Sequence, residues 1–159
     1  MKILIKSRKE IEMLSKRPFP PKTLVISITD ANDTLVELTN EPEYLVRVAF
    51  DDVDNDVIVD EVGKNATAEK KVLVEQKYNM ITCEQACEIA KTYCSHKDEI
   101  NTLICQCEHG QSRSAAVAAA MLEFRSRRGI EIFSHDNYYP NKVVYRKVLE
   151  ALKKYTITS

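Results

Sequence analysis

Residues 103–114 read LICQCEHGQSRS. An apolar, strand-like run ends at Cys107, a short polar interval follows, and then come Arg113, Ser114 and the alanine-rich run AAVAAAMLEF. Such a run ahead of the interval and a helix-forming composition behind it predict a strand, a tight loop and a helix start near Arg113. The same alternation extends outward from this stretch. KILI at 2–5, TLVISI at 23–28 and YLVRVAF at 44–50 are β-branched and mostly apolar, as expected of strands covered on both faces. Ser7 with Glu10 forms a capping box for a helix over 8–15, which RPFPPK stops. Thr82 with Gln85 opens a second helix whose apolar stripe is Ile81, Cys83 or Ala86, Ile89, Ala90 and Tyr93. KVVYRKVLEALKKY at the C-terminal end is amphipathic with helical period. Strands alternating with helices predict an α/β domain around a central, mostly parallel sheet of four to five strands flanked by helices. The connection TDANDTLVELTNEPE is turn-rich, and 53–80 fits a long loop, a hairpin or a short helix about equally well.

Composition narrows the function classes. The 159 residues, with 44% hydrophobic and 30% charged side chains, fit one globular domain spanning 1–159, with no internal repeat and no linker. The net charge of −1 gives no bulk basic character, so neither nucleic acid nor a membrane surface is an expected partner. No apolar run approaches the roughly 20 residues of a bilayer span. Lys and Glu interrupt the apolar patches of MKILIKSRKEIEML, so it does not read as a signal peptide, and a cytoplasmic location is expected. The five cysteines, an odd number bunched between residues 83 and 107, make a poor disulfide framework and read as thiols in a reducing compartment. Neither Cys83/Cys87 nor Cys105/Cys107 has the spacing of a zinc pair, and no metal or cofactor is expected.

The chemistry lies in the opening stretch. In an open parallel sheet, ligands sit beyond the carboxyl ends of the strands. A tight strand-to-helix turn points successive amides inward, and the helix N-terminus adds partial positive charge, so the loop is a nest for a tetrahedral oxyanion. Gly110 permits a backbone conformation that a side chain would resist. A cysteine at the rim of such a nest, beside the helix dipole and an arginine, is in surroundings that favour thiolate. Cys107 is therefore the candidate nucleophile, and Arg113 the fork for two anion oxygens.

CEHGQSRS matches the CxxGxxR(S/T) form of the Cys-x5-Arg signature, and the chain resembles the protein tyrosine/dual-specificity phosphatase superfamily. The resemblance runs from LVISITD through FDDVD to YYPNKVVYRKVLEAL, and is similar to compact bacterial and viral dual-specificity-like phosphatases. It implies the cysteine-phosphatase fold and a phosphomonoesterase acting on phosphoprotein (Tyr and/or Ser/Thr) or on a small phosphomonoester. In that reading Cys107 attacks phosphorus and carries a thiophosphate, and Ser114 hydrogen-bonds the sulfur. Glu108, His109, Gly110, Gln111, Ser112 and Arg113 form the substrate-binding loop. The family places a general acid on a separate loop, and the pattern falls on Phe50, Asp51, Asp52, which makes Asp52 the candidate, with Asp51 next and Asp54 third. Asn141 resembles an asparagine that buttresses the loop. Two departures stand out. Gln106 occupies the place of the usual histidine before the cysteine, and Asp52 precedes Cys107 by 55 positions, which implies an insertion within 53–80.

Two other function classes share this oxyanion logic: a thiol-based sulfurtransferase or arsenate-reductase-like enzyme, and a non-catalytic phosphate-binding module. The loop holds Glu108 and His109 where phosphoinositide phosphatases tend to have Lys or Arg, so a polyanionic lipid headgroup or an RNA 5′ end is disfavoured. Cys83, Cys87, Cys94 and Cys105 read as small buried hydrophobes. His96 and His135 read as surface residues, RSRR at 125–128 as a helix C-terminus, and Tyr138, Tyr139 and Tyr145 as core.

Overall fold

The computed structural model describes residues 1–158. Four strands, β1 (Lys2–Lys6), β2 (Thr23–Thr29), β3 (Tyr44–Ala49) and β4 (Thr102–Gln106), form one sheet in the order β1-β4-β2-β3, and every neighbouring pair is parallel. The register sets Ser27 beside Gln106 and Thr29 beside Ala49. Because all strands run the same way, the residues following β2, β3 and β4 emerge at one edge, and these are Asp30, Phe50 and Cys107.

Period-two alternation sorts the strand residues between two unequal layers. Leu24, Ile26 and Ile28 of β2 and Leu103, Cys105 and Cys107 of the β4 segment belong to the larger core. That core lies against α4 (Cys83–His96), α5 (Arg113–Ser126) and α7 (Lys142–Thr158). Val25 and Ile104 face a much smaller cluster with Ile11 of α1 (Arg8–Leu14) and Val36. The alanine run has a purpose in this packing. Residues 115–121 of α5 are all buried, and small side chains let a helix enclosed on every side lie close to the sheet. A short helix, α6 (Ile130–Phe133), precedes α7.

Both predicted capping boxes are present, at Ser7 with Glu10 and at Thr82 with Gln85. The ambiguous stretch 53–80 holds two helices, α2 (Asn55–Val62) and α3 (Ala68–Lys77), capped by Asp54 and Thr67 and anchored by buried Ile58 and Val74. The expected burial of four residues needs correction. On α4 the buried stripe is Ala86, Ile89, Ala90 and Tyr93, so Cys83 and Cys87 fall on the opposite face and are exposed, while Cys94 is half-buried. Tyr139 is not in the core: it is 71% exposed. Among the described residues no helix is long and apolar enough to cross a membrane.

Candidate active site

The loop between β4 and α5 closes on itself by contacts that its sequence explains. Gly110 has φ +69, and a Cβ there would lie 2.7 Å from the Ser7 backbone nitrogen and 2.8 Å from the Lys6 carbonyl carbon. A side chain is therefore excluded both by conformation and by the chain end of β1. The Cys107 amide donates to the Lys6 carbonyl at 3.3 Å, and the Arg8 amide donates to the Glu108 carbonyl at 3.1 Å. The Arg8 guanidinium lies 3.5 Å from both Glu108 and Asp33. On the other side, the Tyr139 and Asn141 amides donate to the Gln111 and Ser112 carbonyls. Ser112 is the N-cap position of α5 but makes no side-chain cap. Its hydroxyl is used elsewhere.

At the floor, Cys107 Sγ lies 3.0 Å from Ser114 Oγ, and both residues are buried. Arg113 is 4% exposed. Its Nη1 donates to the Phe50 carbonyl at 2.7 Å and stands 2.7 Å from Asp30 Oδ1. Its Nε is buried with no hydrogen-bond partner among the described residues. One corner of the guanidinium is thus fixed from β2 and β3, and a buried donor is left over. Behind the loop, Gln106 is fully buried and its amide oxygen accepts from the Ser27 hydroxyl at 2.6 Å, while its Nε2 has no partner among the described residues. Burial pushes the neighbouring Cys105 thiol up from its ordinary value, and the nearby Cys107 adds to the shift.

The three carboxylates after β3 separate by their partners. Asp51 accepts from the Ala31 amide at 2.9 Å. Asp54 caps α2 and also accepts from the Lys142 amide at 3.1 Å. Asp52 Oδ1 accepts from the Ser112 hydroxyl at 2.8 Å and from Asn141 Nδ2 at 2.9 Å. Asn141 Nδ2 also donates to the Val53 carbonyl at 3.0 Å, and Asn141 Oδ1 accepts from the Val144 amide at 3.1 Å. One asparagine at the start of α7 therefore ties the Asp52 segment to the loop. Among the described residues no group of three or more His, Cys, Asp and Glu side chains is arranged to hold a metal ion.

Several solved structures share this architecture, PTPMT1 and Tk-PTP among them. PTPMT1, crystallised in complex with PI(5)P, superposes with a TM-score of 0.53 and 13% sequence identity, over 99% of this chain and 94% of its own. Tk-PTP in its active form superposes with a TM-score of 0.50 and 14% identity, over 97% of this chain and 92% of its own. No protein-family model and no curated protein sequence matches the chain. The chain has the cysteine-phosphatase fold.

Within that fold the residues singled out from the sequence come together at the carboxyl edge of the sheet. Cys107, Ser114 and Arg113 share the buried floor, Gly110 makes the tight turn, and Ser112 and Asp52 are in direct contact. Glu108 is half-buried through its tie to Arg8, whereas His109 and Gln111 are exposed. Asp52 is itself exposed, while Asp51, Val53 and Asp54 on either side of it are half-buried. Sequence reasoning missed Asp30. Its only signal was its position at the carboxyl end of a strand adjacent to the one carrying Cys107, since TDAND otherwise reads as an ordinary turn. It also missed the Phe50 carbonyl, a backbone partner that no side-chain motif encodes.

Proposed function

We propose that this chain is a cysteine-dependent phosphomonoesterase that hydrolyses phosphoprotein (Tyr and/or Ser/Thr) or small phosphomonoester substrates through a thiophosphate intermediate. The observation that carries the reading is the floor of the loop: a buried thiol 3.0 Å from the Ser114 hydroxyl, on the same loop as a buried arginine with an unsatisfied Nε. A buried donor without a partner costs about 1–3 kcal/mol. An oxyanion held by Arg113 and the amides of 108–113 would remove that cost, which is the logic of an anion site built before its ligand arrives.

In the first step Cys107 Sγ attacks phosphorus, the bond to the ester oxygen breaks, and Asp52 gives that oxygen a proton. In the second step water attacks the thiophosphate, Asp52 takes the water proton, and the sulfur leaves as a thiolate that accepts from Ser114. Asp52 is preferred over Asp51 and Asp54 because it alone among the three contacts a residue of the Cys107 loop, Ser112. Asn141 and Ser112 position it by holding Oδ1, which leaves Oδ2 for the proton.

The surrounding charge supports a substrate with a single phosphate. Asp51, Asp52 and Asp54 follow β3 beside the loop with no ion-pair partner among the described residues, so a phosphoinositide such as the PI(5)P of PTPMT1 would bring its second phosphate toward carboxylates. The test is hydrolysis of para-nitrophenyl phosphate without added thiol, with acid quench and mass spectrometry of the cysteine peptides. Phosphate release, a phosphoryl adduct on Cys107 and loss of both in Cys107→Ser are expected. Turnover that survives Cys107→Ser within about tenfold would remove the thiol from the mechanism. Oxyanion binding without turnover would point to a phosphate-binding module, and activity only with thiol or a sulfur donor to the sulfurtransferase or arsenate-reductase chemistry.

A further inference from the structure

A sizeable concavity of the protein lies away from the Cys107 loop. It is a trough of about 750 Å3 on the thinly covered face of the sheet, between β1 and α1. Parallel sheets are normally covered on both faces. Here one face has α4, α5 and α7, while the other has a seven-residue helix whose buried residue, Ile11, packs over β2 and β4. The β1 end of that face stays open, with Leu4 and Ile104 as its floor. The exposed side of α1 supplies one wall through Met13, 63% exposed, and Leu14, 42% exposed, and Phe19 closes the end.

The rim is cationic. Lys2, Lys6, Lys9 and Arg17 line it against one carboxylate, Glu10, which lies 3.7 Å from Lys6. Among the described residues Lys2, Lys9 and Arg17 have no ion-pair partner. In a chain of net charge −1, this is a local concentration of unbalanced positive charge around an apolar floor. The adjoining strand adds a third feature. Among the described residues β1 is the end strand of the sheet and pairs with β4 on one side, so half of its amide and carbonyl groups face away from the sheet.

From these three features we propose that the trough is a docking site for an extended acidic segment of a partner protein. That segment adds along the outer edge of β1, places one or two large apolar side chains on Leu4 and Ile104, and sets its carboxylates against Lys2, Lys9 and Arg17. The free strand edge favours a peptide over a lipid surface, because only a peptide backbone satisfies it. The concave floor favours it too, since a flat bilayer cannot reach the bottom of a trough without inserting a chain. The site is separate from the Cys107 loop and does not depend on any activity there.

The probe is a fluorescein-labelled acidic peptide with two leucines at i and i+2, so that both face one side of an extended chain. Fluorescence anisotropy should show saturable binding that weakens at least about tenfold in the Lys9→Glu/Arg17→Glu double variant and falls with added salt. Methylating the peptide's amide nitrogens at alternate positions should weaken it in one register and not the other. Retained thermal stability and an unchanged far-UV circular dichroism spectrum would show that the double variant is folded. Absence of binding to the wild-type protein would overturn the proposal, as would binding indifferent to both the charge reversal and the methylation. Binding of phosphatidylserine vesicles, lost in the double variant, with no binding of the peptide would assign the trough to an anionic lipid instead.

Discussion

Of the five donors on the Arg113 guanidinium, the protein itself engages those of Nη1, through the Phe50 carbonyl and Asp30. A lysine at this position has one ammonium, and Phe50 and Asp30 would claim it. Arg113→Lys should therefore lose nearly as much kcat/KM as Arg113→Ala, about a hundredfold or more, and steady-state kinetics of both variants on one aryl phosphate decides it. Recovery of most of the activity by lysine would show that a point charge suffices. The three carboxylates allow an equally sharp comparison. A general acid matters most when the leaving oxygen is strongly basic, so Asp52→Asn should slow an alkyl phosphate about tenfold or more beyond its effect on an aryl phosphate with an acidic phenol. Asp51→Asn and Asp54→Asn should leave that ratio near its original value, since their carboxylates hold backbone amides. A changed ratio in either of those variants, with none in Asp52→Asn, would move the assignment. At this scale the sequence was most informative where one short stretch holds both partners, as for Cys107 and Ser114. It was silent where the partner is remote, as for Asp30, or is a backbone oxygen, as for Phe50.

Capping shows how local chemistry and site geometry meet at the level of elements. Ser7 closes a capping box on α1, and its backbone nitrogen lies against Gly110 of the loop. Thr67 caps α3, within the two-helix segment before α4, through the Lys70 amide. Replacing either side chain by alanine should cost about 1 kcal/mol of stability by denaturant unfolding. Only Ser7→Ala should also lower kcat/KM, because fraying the start of α1 loosens the chain on which Gly110 rests. An equal kinetic effect of Thr67→Ala would mean that the link between α1 and the loop does not matter. The same two caps explain what could be read in advance. Ser7 is followed by a clean apolar spacing and a proline-rich stop, so α1 was legible from its own residues. In NDVIVDEV the β-branched residues favour strand and the charges favour helix, and the helix is decided by burial of Ile58, a tertiary fact that a local pattern does not contain. On α4, cysteine and alanine are both small and apolar, so the stripe alone did not determine whether Cys83 or Ala86 would be buried.

At the scale of the whole molecule two regions carry opposite charge. Carboxylates gather at the carboxyl edge of the sheet, while Lys2, Lys9 and Arg17, without an ion-pair partner among the described residues, border the trough along β1. The mostly parallel sheet was legible because four apolar runs alternate with helical ones. This polarity was not, since a net charge of −1 averages it away. Around the loop, Arg8 lies within ion-pair distance of Glu108 and Asp33, and Arg113 of Asp30. Among the described residues Asp51, Asp52 and Asp54 are held by neutral donors and have no ion-pair partner. Under the proposed function, a phosphomonoester arriving there would meet attraction at the buried floor and repulsion at the rim. A substrate with cationic groups flanking its phosphate escapes the second effect. Paired phosphotyrosine peptides that differ only in lysine or glutamate flanks isolate it, because the reacting group is the same in both. The lysine-flanked peptide should have the higher kcat/KM by about tenfold at low ionic strength, and the ratio should shrink toward one as salt screens charges beyond the Debye length. The joint Asp51→Asn/Asp54→Asn variant should narrow the ratio without added salt, because it removes rim charge and leaves Asp52, Cys107 and Arg113 in place. A ratio near one at low salt, or a preference for glutamate flanks, would mean that the rim carboxylates do not face the bound substrate.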